Sequence, residues 1–554
     1  MDTPPTEGIL QTTDYMNFTV MTPAGQPICE FIGAKTAGKA LPGDLVRWNS
    51  VKQTCELLSR VKHWPLVGII ELTSKSKYGM TSRGVPMYLF TPSRKGYPMM
   101  VVGCSERDCS KNRLALVEFD VWNETGFPRG NLRKLLGVCG EQTAEKETIL
   151  LTYNPFPTLK TIPEPAPISW EGRVDTPQQT FNIDPEGCRD IDDVISIEPP
   201  GQDGLGTIWI TIADVAEVIP HNSVLDKTAQ LQGLTAYENG QAVKPMLPHS
   251  YSEGHCSLLP GSVRPGVSLI LTIRPHPSQH YTIVSKSWCL SRVHNSKQYS
   301  YDSFIREGTY DGINIPFLAG VASELLGHAT YDPHEWIEAF MLIYNKESAK
   351  LLRKTGTGIL RKHSMPDLAQ LAKYTALGGK DLAVLANKSA TYCAADDPEP
   401  LHYGLSSNVY CHCSSPIRRY ADLFNQRILK QIISNQSVFH EMANLSWLNQ
   451  RQSDIKRFER DCFILDKLSL NKKDEITALI LEIMPYECQG YPMKKIKLWI
   501  PSWKRLHTWK TSSDVSDSIG AGVEIRLTYF ANPSVRFWKQ KIIFRLEGIV
   551  GAEV

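Results

Sequence analysis

A multidomain α+β fold is what this sequence predicts, on three observations. At 554 residues the chain is too long for one hydrophobic core, so two to four domains are expected. Both ends read as short hydrophobic runs punctuated by Gly and Pro turns, the signature of small all-β units. Between them lies a stretch that is strand-rich first and helix-rich afterwards, entered through a proline-dense segment.

Taken in order, residues 1–7 are polar and proline-bearing and are expected to be a disordered tail. The first β unit, within residues 1–64, contains the runs Phe18–Met21, Ile28–Ile32 and Leu45–Trp48, the last entered by the turn Pro42-Gly43-Asp44. The second, residues 65–152, repeats the style with Gly68–Leu72, Tyr88–Phe90 and Met99–Val102. Two successive units of this size suit OB-type β-barrels. Lys75, Lys77, Tyr78, Arg83, Arg94, Lys95 and Tyr97 interleave charge with rings as single-strand binders do, although a lysine-guarded sheet edge has the same composition. Pro155, Pro157, Pro163, Pro165 and Pro167 make residues 153–169 an extended linker. A central unit, residues 170–470, follows, and from Ile476 the β pattern returns over residues 471–554.

Composition narrows the class. Hydrophobic content of 42% with 21% charged residues belongs to a soluble globular protein, and no apolar run reaches the roughly 18 residues of a membrane helix. A net charge of +2 neither requires nor excludes nucleic acid, so any basic track must be local. Thirteen cysteines occur without a Cys-x-x-Cys pair. The odd count and the lack of a signal peptide point to an intracellular, reducing compartment, and Cys104, Cys109, Cys411 and Cys413 read as ordinary thiols.

The chemistry concentrates in Asn182-Ile-Asp-Pro-Glu-Gly-Cys-Arg-Asp-Ile-Asp-Asp-Val194, where Asp184, Asp190, Asp192 and Asp193 fall within ten residues. Crowded carboxylates repel one another, and their hard oxygens suit magnesium or manganese rather than zinc. Two bland readings compete: a solvated acidic turn, and a calcium loop, whose alternating acids and closing Glu are missing. A second stretch, Cys411-His-Cys-Ser-Ser-Pro-Ile-Arg-Arg-Tyr-Ala-Asp422, predicts a helix starting at Ser415-Pro416, with Ile417, Tyr420, Ala421, Phe424 and Ile428 as its buried stripe. Arg418 and Arg419 would then lie in the first helical turn, where cations are disfavoured unless an anion is bound.

Together the two stretches resemble the signature motifs of the ribonuclease II / ribonuclease R family, the RNB-type 3′-to-5′ exoribonucleases. Further blocks agree in order: Trp209–Val215, then Tyr237 and Gly240, Pro245–Pro248, Cys256–Leu258, and Ile337-Glu-Ala-Phe-Met341 with Asn345. The resemblance covers residues 170–470 strongly and the flanks weakly. It implies two N-terminal cold-shock-like OB domains, a central α/β RNB-type catalytic domain and a C-terminal OB-type RNA-binding domain, with no room for an N-terminal endonuclease domain. Lys494, Lys495, Lys497, Trp503, Lys504, Arg505, His507, Trp509 and Lys510 supply the last domain with positive charge beside rings.

The activity so implied is processive 3′-to-5′ hydrolysis of single-stranded RNA to nucleoside 5′-monophosphates, by a protein functional as a monomer with any helicase or RNA-processing partner unidentified. Two magnesium ions (manganese is possible) would be held by Asp184, Asp190, Asp192 and Asp193, with Asp192 ranked first for catalysis and Asp193 beside it. Arg418 would grip the scissile phosphate, with Arg419 as its neighbour. Tyr237 would stack on the terminal nucleotide, Glu338 would read the sugar hydroxyl, and Glu459 matches a glutamate near the scissile end. A catalytically silent RNA-binding relative and a DNA exonuclease are the competing readings. One departure stands out: only 33 residues, 303–335, separate Asp302 from Trp336, and the family's second aromatic clamp cannot be placed there.

Overall fold

The computed structural model describes residues 6–550 apart from 24, 124–125, 278–279, 439, 470–473, 489, 513–518 and 533–541. The first five residues of the expected tail and the expected boundary at 470–471 lie outside the described residues. Two compact units result: Met1–Phe156 with Arg457–Val554, and Pro157–Lys456.

In the first unit, β1 (Thr6–Thr12), β2 (Asn17–Met21), β3 (Pro27–Ile32), β4 (Leu45–Asn49) and β5 (Thr54–Ser59) form a sheet ordered β3-β2-β1-β4-β5. Thr6 and Glu7, expected to be disordered, open β1 and pair with Trp48 and Arg47. Their polar side chains face outward while the backbone completes a ladder, which composition alone does not reveal. Next, β6 (Leu66–Ile70), β7 (Met87–Pro92), β8 (Met100–Gly103), β9 (Arg113–Val121) and β10 (Arg129–Val138) close into a barrel, followed by helix α1 (Gln142–Tyr153). Strand order repeats that of the first sheet, and a parallel pairing of β10 with β8 seals it. Tyr97, read from sequence beside surface charges, instead packs against the cores of both sheets and meets His63 edge-on.

The second unit is built on a seven-stranded sheet. Its strands are β11 (Val174–Asp175), β12 (Thr180–Asp184), β13 (Asp193–Glu198), β14 (Gly206–Ala213), β17 (Val263–Pro275), β18 (Tyr281–His294) and β19 (Lys297–Ser300), ordered β11-β18-β17-β14-β13-β12-β19. Helices α2 (Val215–Val218) and α3 (Val224–Gln232) and the hairpin β15 (Ala236–Glu238)–β16 (Gln241–Lys244) sit between β14 and β17 in the chain. After β19 come α4 (Phe304–Tyr310), α5 (Ile315–Leu326), α6 (Pro333–Thr355), β20 (Ile359–Lys362), α7 (Leu368–Ala383), β21 (Thr391–Ala394), α8 (Tyr420–Ile433) and α9 (Leu445–Ser469). The β14 strand is buried nearly throughout, with Ile208, Ile210 and Ile212 in the main core. Buried charge pins α8 to this sheet: Lys430 of α8 and Arg173 converge on Asp214 at 2.9 and 2.7 Å.

One expectation fails at a telling place. Ser415-Pro416 does not start the helix, which begins at Tyr420 with Arg419 extended at its cap. The Arg418 and Arg419 amides return to the Ser415 carbonyl, but the Arg418 carbonyl accepts from Thr235 N and Tyr420 N donates to the Gly233 carbonyl, both within 2.9 Å. Those cross-chain bonds draw the backbone out of the helical path.

The C-terminal strands, in the first unit, are β22 (Asp474–Cys488), β23 (Tyr491–Ile500), β24 (Arg505–Ser512), β25 (Glu524–Ala531) and β26 (Ile542–Ile549), ordered β24-β23-β22-β25-β26. This repeats the order of the other two OB-type sheets. Trp503 and Trp509, expected to be stackable on RNA, are buried in this sheet's core, and burial pushes His507 down to about 4. Cations accompany the Tyr486 ring, with the ammonium groups of Lys495 and Lys510 at 4.7 and 5.8 Å from its centroid. Asp461, placed by sequence on a solvated helix face, is 2% exposed and accepts a 2.5 Å hydrogen bond from Tyr153. No helix among the described residues is long and apolar enough to cross a membrane.

Candidate active site

The aspartate stretch is the turn between paired strands β12 and β13. Thr180 pairs with Ser196 and Phe181 with Ile195, so Asp184 leaves one strand where Asp193 enters the other. Pro185–Cys188 closes a β-turn (Cys188 N to Pro185 O, 3.1 Å) with Gly187 at φ +79°, a conformation glycine adopts without strain. Beyond the turn, Ser257 and Leu258 staple the loop: Ser257 Oγ accepts from Ile191 N and donates to the Arg189 carbonyl, and Leu258 N donates to the Ile191 carbonyl. The Cys256–Leu258 block singled out by sequence therefore holds the carboxylates in place.

A cavity of about 950 Å³ opens over this turn. Its lining includes Asp184, Asp190, Asp192, Asp193, Tyr237, Glu338, Arg418 and Arg419, so eight of the nine residues nominated from sequence come together. Glu459, exposed on α9, belongs to the other compact unit.

Each side chain has a distinct setting. Asp192, 4% exposed, accepts from Ile417 N (3.0 Å) through Oδ1 and from Arg418 Nε (2.9 Å) through Oδ2. Arg418 also donates from Nη2 to Ser415 Oγ at 3.1 Å. Arg419 donates to Asp422, which also receives Ser415 N. The cationic pair is thus balanced inside the protein by Asp192 and Asp422, and the helix-end mismatch inferred from sequence does not arise. Asp190 accepts from the Tyr237 hydroxyl at 2.8 Å and from the Cys188 thiol at 3.4 Å. Tyr237 therefore presents its ring to the cavity with its hydroxyl anchored. Asp184 accepts from Asn182 Nδ2 at 2.8 Å through Oδ2. Asp193 accepts no hydrogen bond among the described residues.

Electrostatics follow from this crowding. Burial pushes the Asp192 carboxyl up to about 7, although Arg418 pulls against it. Burial, reinforced by Asp184 and Asp192, raises Asp193 well above the carboxylate range, and burial raises Asp184 as well. Burial opposes the charge on Arg418, but Asp192, Tyr237 and Asp193 more than offset it, and its guanidinium is held above its ordinary value.

The donor set bears on a metal ion. Among the described residues no three His, Cys, Asp or Glu side chains form a ready-made cage, and both oxygens of Asp190 and of Asp192 are already engaged by protein donors. Asp184 and Asp193 retain free oxygens, beside one another and incompletely neutralised. Such a pair fits magnesium or manganese, which is commonly held by one or two carboxylates with water and substrate phosphate filling the shell.

Two cavity features have roles that sequence reasoning did not assign. Tyr301, at the end of β19, lines the cavity and lies flat against His334 of α6, with centroids 3.9 Å apart and planes within 9°. His334 lies within residues 303–335, where no second aromatic could be placed, and Tyr301 lies just before them; neither residue shows a motif. Asn345, 3% exposed, donates to Tyr410 Oη and Ser414 Oγ and accepts from Cys413 N, clamping the segment that leads to Arg418.

Comparison with known proteins agrees with this geometry. The RNB domain model matches residues 173–306 and 313–435, and the Dis3-like cold-shock domain 2 model matches residues 87–154. The probable exosome complex exonuclease RRP44 of Caenorhabditis elegans is 24% identical over 469 residues, covering 68% of this chain and 49% of that protein. The chain spans about half the length of the curated exosome relatives it matches. Among solved structures, Mycoplasma genitalium RNase R in complex with ribose-methylated single-stranded RNA aligns over 98% of this chain and 100% of its own, with TM-score 0.72 and 16% identity. Yeast Ssd1, described as a pseudonuclease, aligns over 96% of this chain and 82% of its own, with TM-score 0.63 and 16% identity. From the aspartate turn, the arginine pair and these matches, the chain carries an RNB domain and is similar to the RNB-type exoribonucleases.

Proposed function

We propose that this protein is a metal-dependent 3′-to-5′ exoribonuclease that degrades single-stranded RNA processively to nucleoside 5′-monophosphates. One observation carries the reading: Arg418, held between Asp192 and Ser415, lines the same cavity as Asp184 and Asp193, whose carboxylates keep free oxygens. A guanidinium fixed on two sides is preorganised to receive a phosphate, and it faces the groups that would hold a cation.

Asp184 and Asp193 would bind magnesium or manganese, whose chemistry is to activate the attacking water and offset charge on the leaving oxygen. Arg418 binds the scissile phosphate and stabilises charge that grows on it. Asp192 acts through Arg418 as a positioning residue. Tyr237, its hydroxyl held by Asp190, and Tyr301, backed by His334, offer ring faces to the terminal bases, a contact any base can make. Glu338 on α6 supplies an exposed carboxylate for a ribose hydroxyl. The RNA seated in the related RNase R structure supports the substrate class. The twelve described cysteines are all free, which supports a reducing compartment.

The likeness to Ssd1 favours a second reading, a silent RNA-binding relative. Against it, all four aspartates and Arg418 are present and assembled. Incubation of the purified protein with 5′-labelled poly(A) RNA, with and without magnesium, separates the two. Magnesium-dependent shortening from the 3′ end, with mononucleotides released, is the expected result. Intact RNA retained in a stable complex at all magnesium concentrations supports the silent reading, and equal attack on DNA overturns the role given to Glu338.

A further inference from the structure

Behind Asp184 lies a chain of buried amides. Asn182 and Asp184 are two residues apart on β12 and so share a face of the sheet. Asn182 is 1% exposed and Asn295, in the turn from β18 to β19, is 6% exposed. Asn295 Nδ2 donates to the Leu258 carbonyl at 2.6 Å and to Asn182 Oδ1 at 2.8 Å. Asn182 Nδ2 in turn donates to Asp184 Oδ2 at 2.8 Å.

The chain can run in only one direction. A backbone carbonyl accepts and never donates, so Leu258 compels Asn295 to turn its NH₂ end that way. At the other side of the same amide, Lys297 N, which can only donate, meets Asn295 Oδ1 at 3.3 Å. With Asn295 pinned at both ends, Asn182 must offer its oxygen to Asn295 and its NH₂ to Asp184. An amide in isolation could flip; this one cannot without losing two buried hydrogen bonds.

We propose that Asn295 and Asn182 form a relay that orients the Asp184 carboxylate, capping Oδ2 and leaving Oδ1 as the single oxygen presented to a divalent cation. This rests on the reading of Asp184 as a cation ligand. Both asparagines are positioning residues and touch neither substrate nor cation. The anchor of the relay, the Leu258 carbonyl, belongs to the residue whose amide staples the aspartate turn, so the turn and its first carboxylate are set by one point of the fold. Outer partners of this kind tune cation affinity about ten- to a hundredfold.

The test is Mn²⁺ affinity, measured by titration calorimetry on the full chain without RNA, for the wild type, Asp184→Asn, Asn182→Leu, Asn295→Ala and the Asn182→Leu/Asn295→Ala double variant. Affinity for a short single-stranded RNA in EDTA is measured alongside. Asn182→Leu and Asn295→Ala should each weaken Mn²⁺ binding by about tenfold or more, with RNA affinity unchanged. The double variant should be no weaker than Asn182→Leu, because Asn295 acts only through Asn182. If Asn182→Leu does not fold, Asn295→Ala carries the measurement, since its side chain is one step further from the carboxylate. Folded variants with wild-type Mn²⁺ affinity, or a double variant showing the product of two independent losses, overturn the relay. Wild-type binding abolished by Asp184→Asn but indifferent to both asparagines sinks the relay alone. Wild-type protein that binds no Mn²⁺ sinks the cation reading of Asp184 with it.

Discussion

At the scale of single residues the site is governed by unequal satisfaction of its charges. Arg418 spends Nε on Asp192 and Nη2 on Ser415. Lysine keeps the charge there but cannot reproduce two directed contacts while also meeting a phosphate. Arg418→Lys should therefore leave RNA affinity within a few-fold and lower single-turnover cleavage by about a hundredfold. Near wild-type cleavage would remove Arg418 from the reaction. Asp192→Asn should lower cleavage through the same arginine, and the two losses should not add, because one acts through the other.

The crowded carboxyls also set a pH dependence. Folding raises Asp184 and Asp193 and takes Asp192 to about 7. The folded protein thus keeps protons that the unfolded chain releases above about pH 4. For these groups, cation-free stability is present at low pH and is lost as pH rises toward 7. A cation must displace those protons, so it binds better as pH rises. Differential scanning fluorimetry should show saturating Mn²⁺ raising Tm by a few degrees more at pH 7.5 than at pH 5.5. Equal increments at both values would mean that the buried aspartates do not hold the ion.

At the scale of elements, the join between α3 and α8 places the arginines. Gly233 ends α3 at φ +75°, and its carbonyl receives the first amide of α8. A Cβ at this position would stand 2.8 Å from Arg451 Cβ, in a conformation that alanine resists. Gly233→Ala should cost about 1–3 kcal/mol in urea unfolding, and it should slow cleavage by moving Tyr420 and the two arginines before it. Unchanged stability and rate would show that this join tolerates displacement.

For the molecule as a whole, RNA contact is expected from local positive charge, since the net charge is only +2. Lys495 and Lys510 flank Tyr486 on the C-terminal sheet, the arrangement of a stacking platform beside phosphate-binding cations. Lys495→Glu with Lys510→Glu should weaken binding of single-stranded RNA of any sequence. The slope of log affinity against log salt should shrink by roughly 1.4, since two phosphates would no longer be neutralised by the protein. Turnover of RNA already bound should change little. A salt slope equal to that of the wild type would place the RNA elsewhere.

What the sequence determined alone is what local pattern encodes. Hydrophobic runs between turns marked the OB-type sheets. The aspartate turn was legible because Pro185 and Gly187 punctuate it and strand-formers bracket it, all within sixteen residues. What the tertiary structure decided are outcomes that depend on a distant partner. Ser415-Pro416 has every local mark of a helix start, yet Gly233 and Thr235 claim the backbone groups that a helix would have used. Trp503 and Trp509 carry the composition of an RNA-binding surface, but alternation along β24 turned Trp509 inward, and Trp503, in the turn before that strand, packs into the same core. Tyr301 and His334, and likewise Asn295 and Asn182, lie on separate stretches that meet only after the seven-stranded sheet forms. A hydrogen bond is satisfied by whichever group arrives at its distance, and in a chain of this length that group is set by packing, beyond the reach of local pattern.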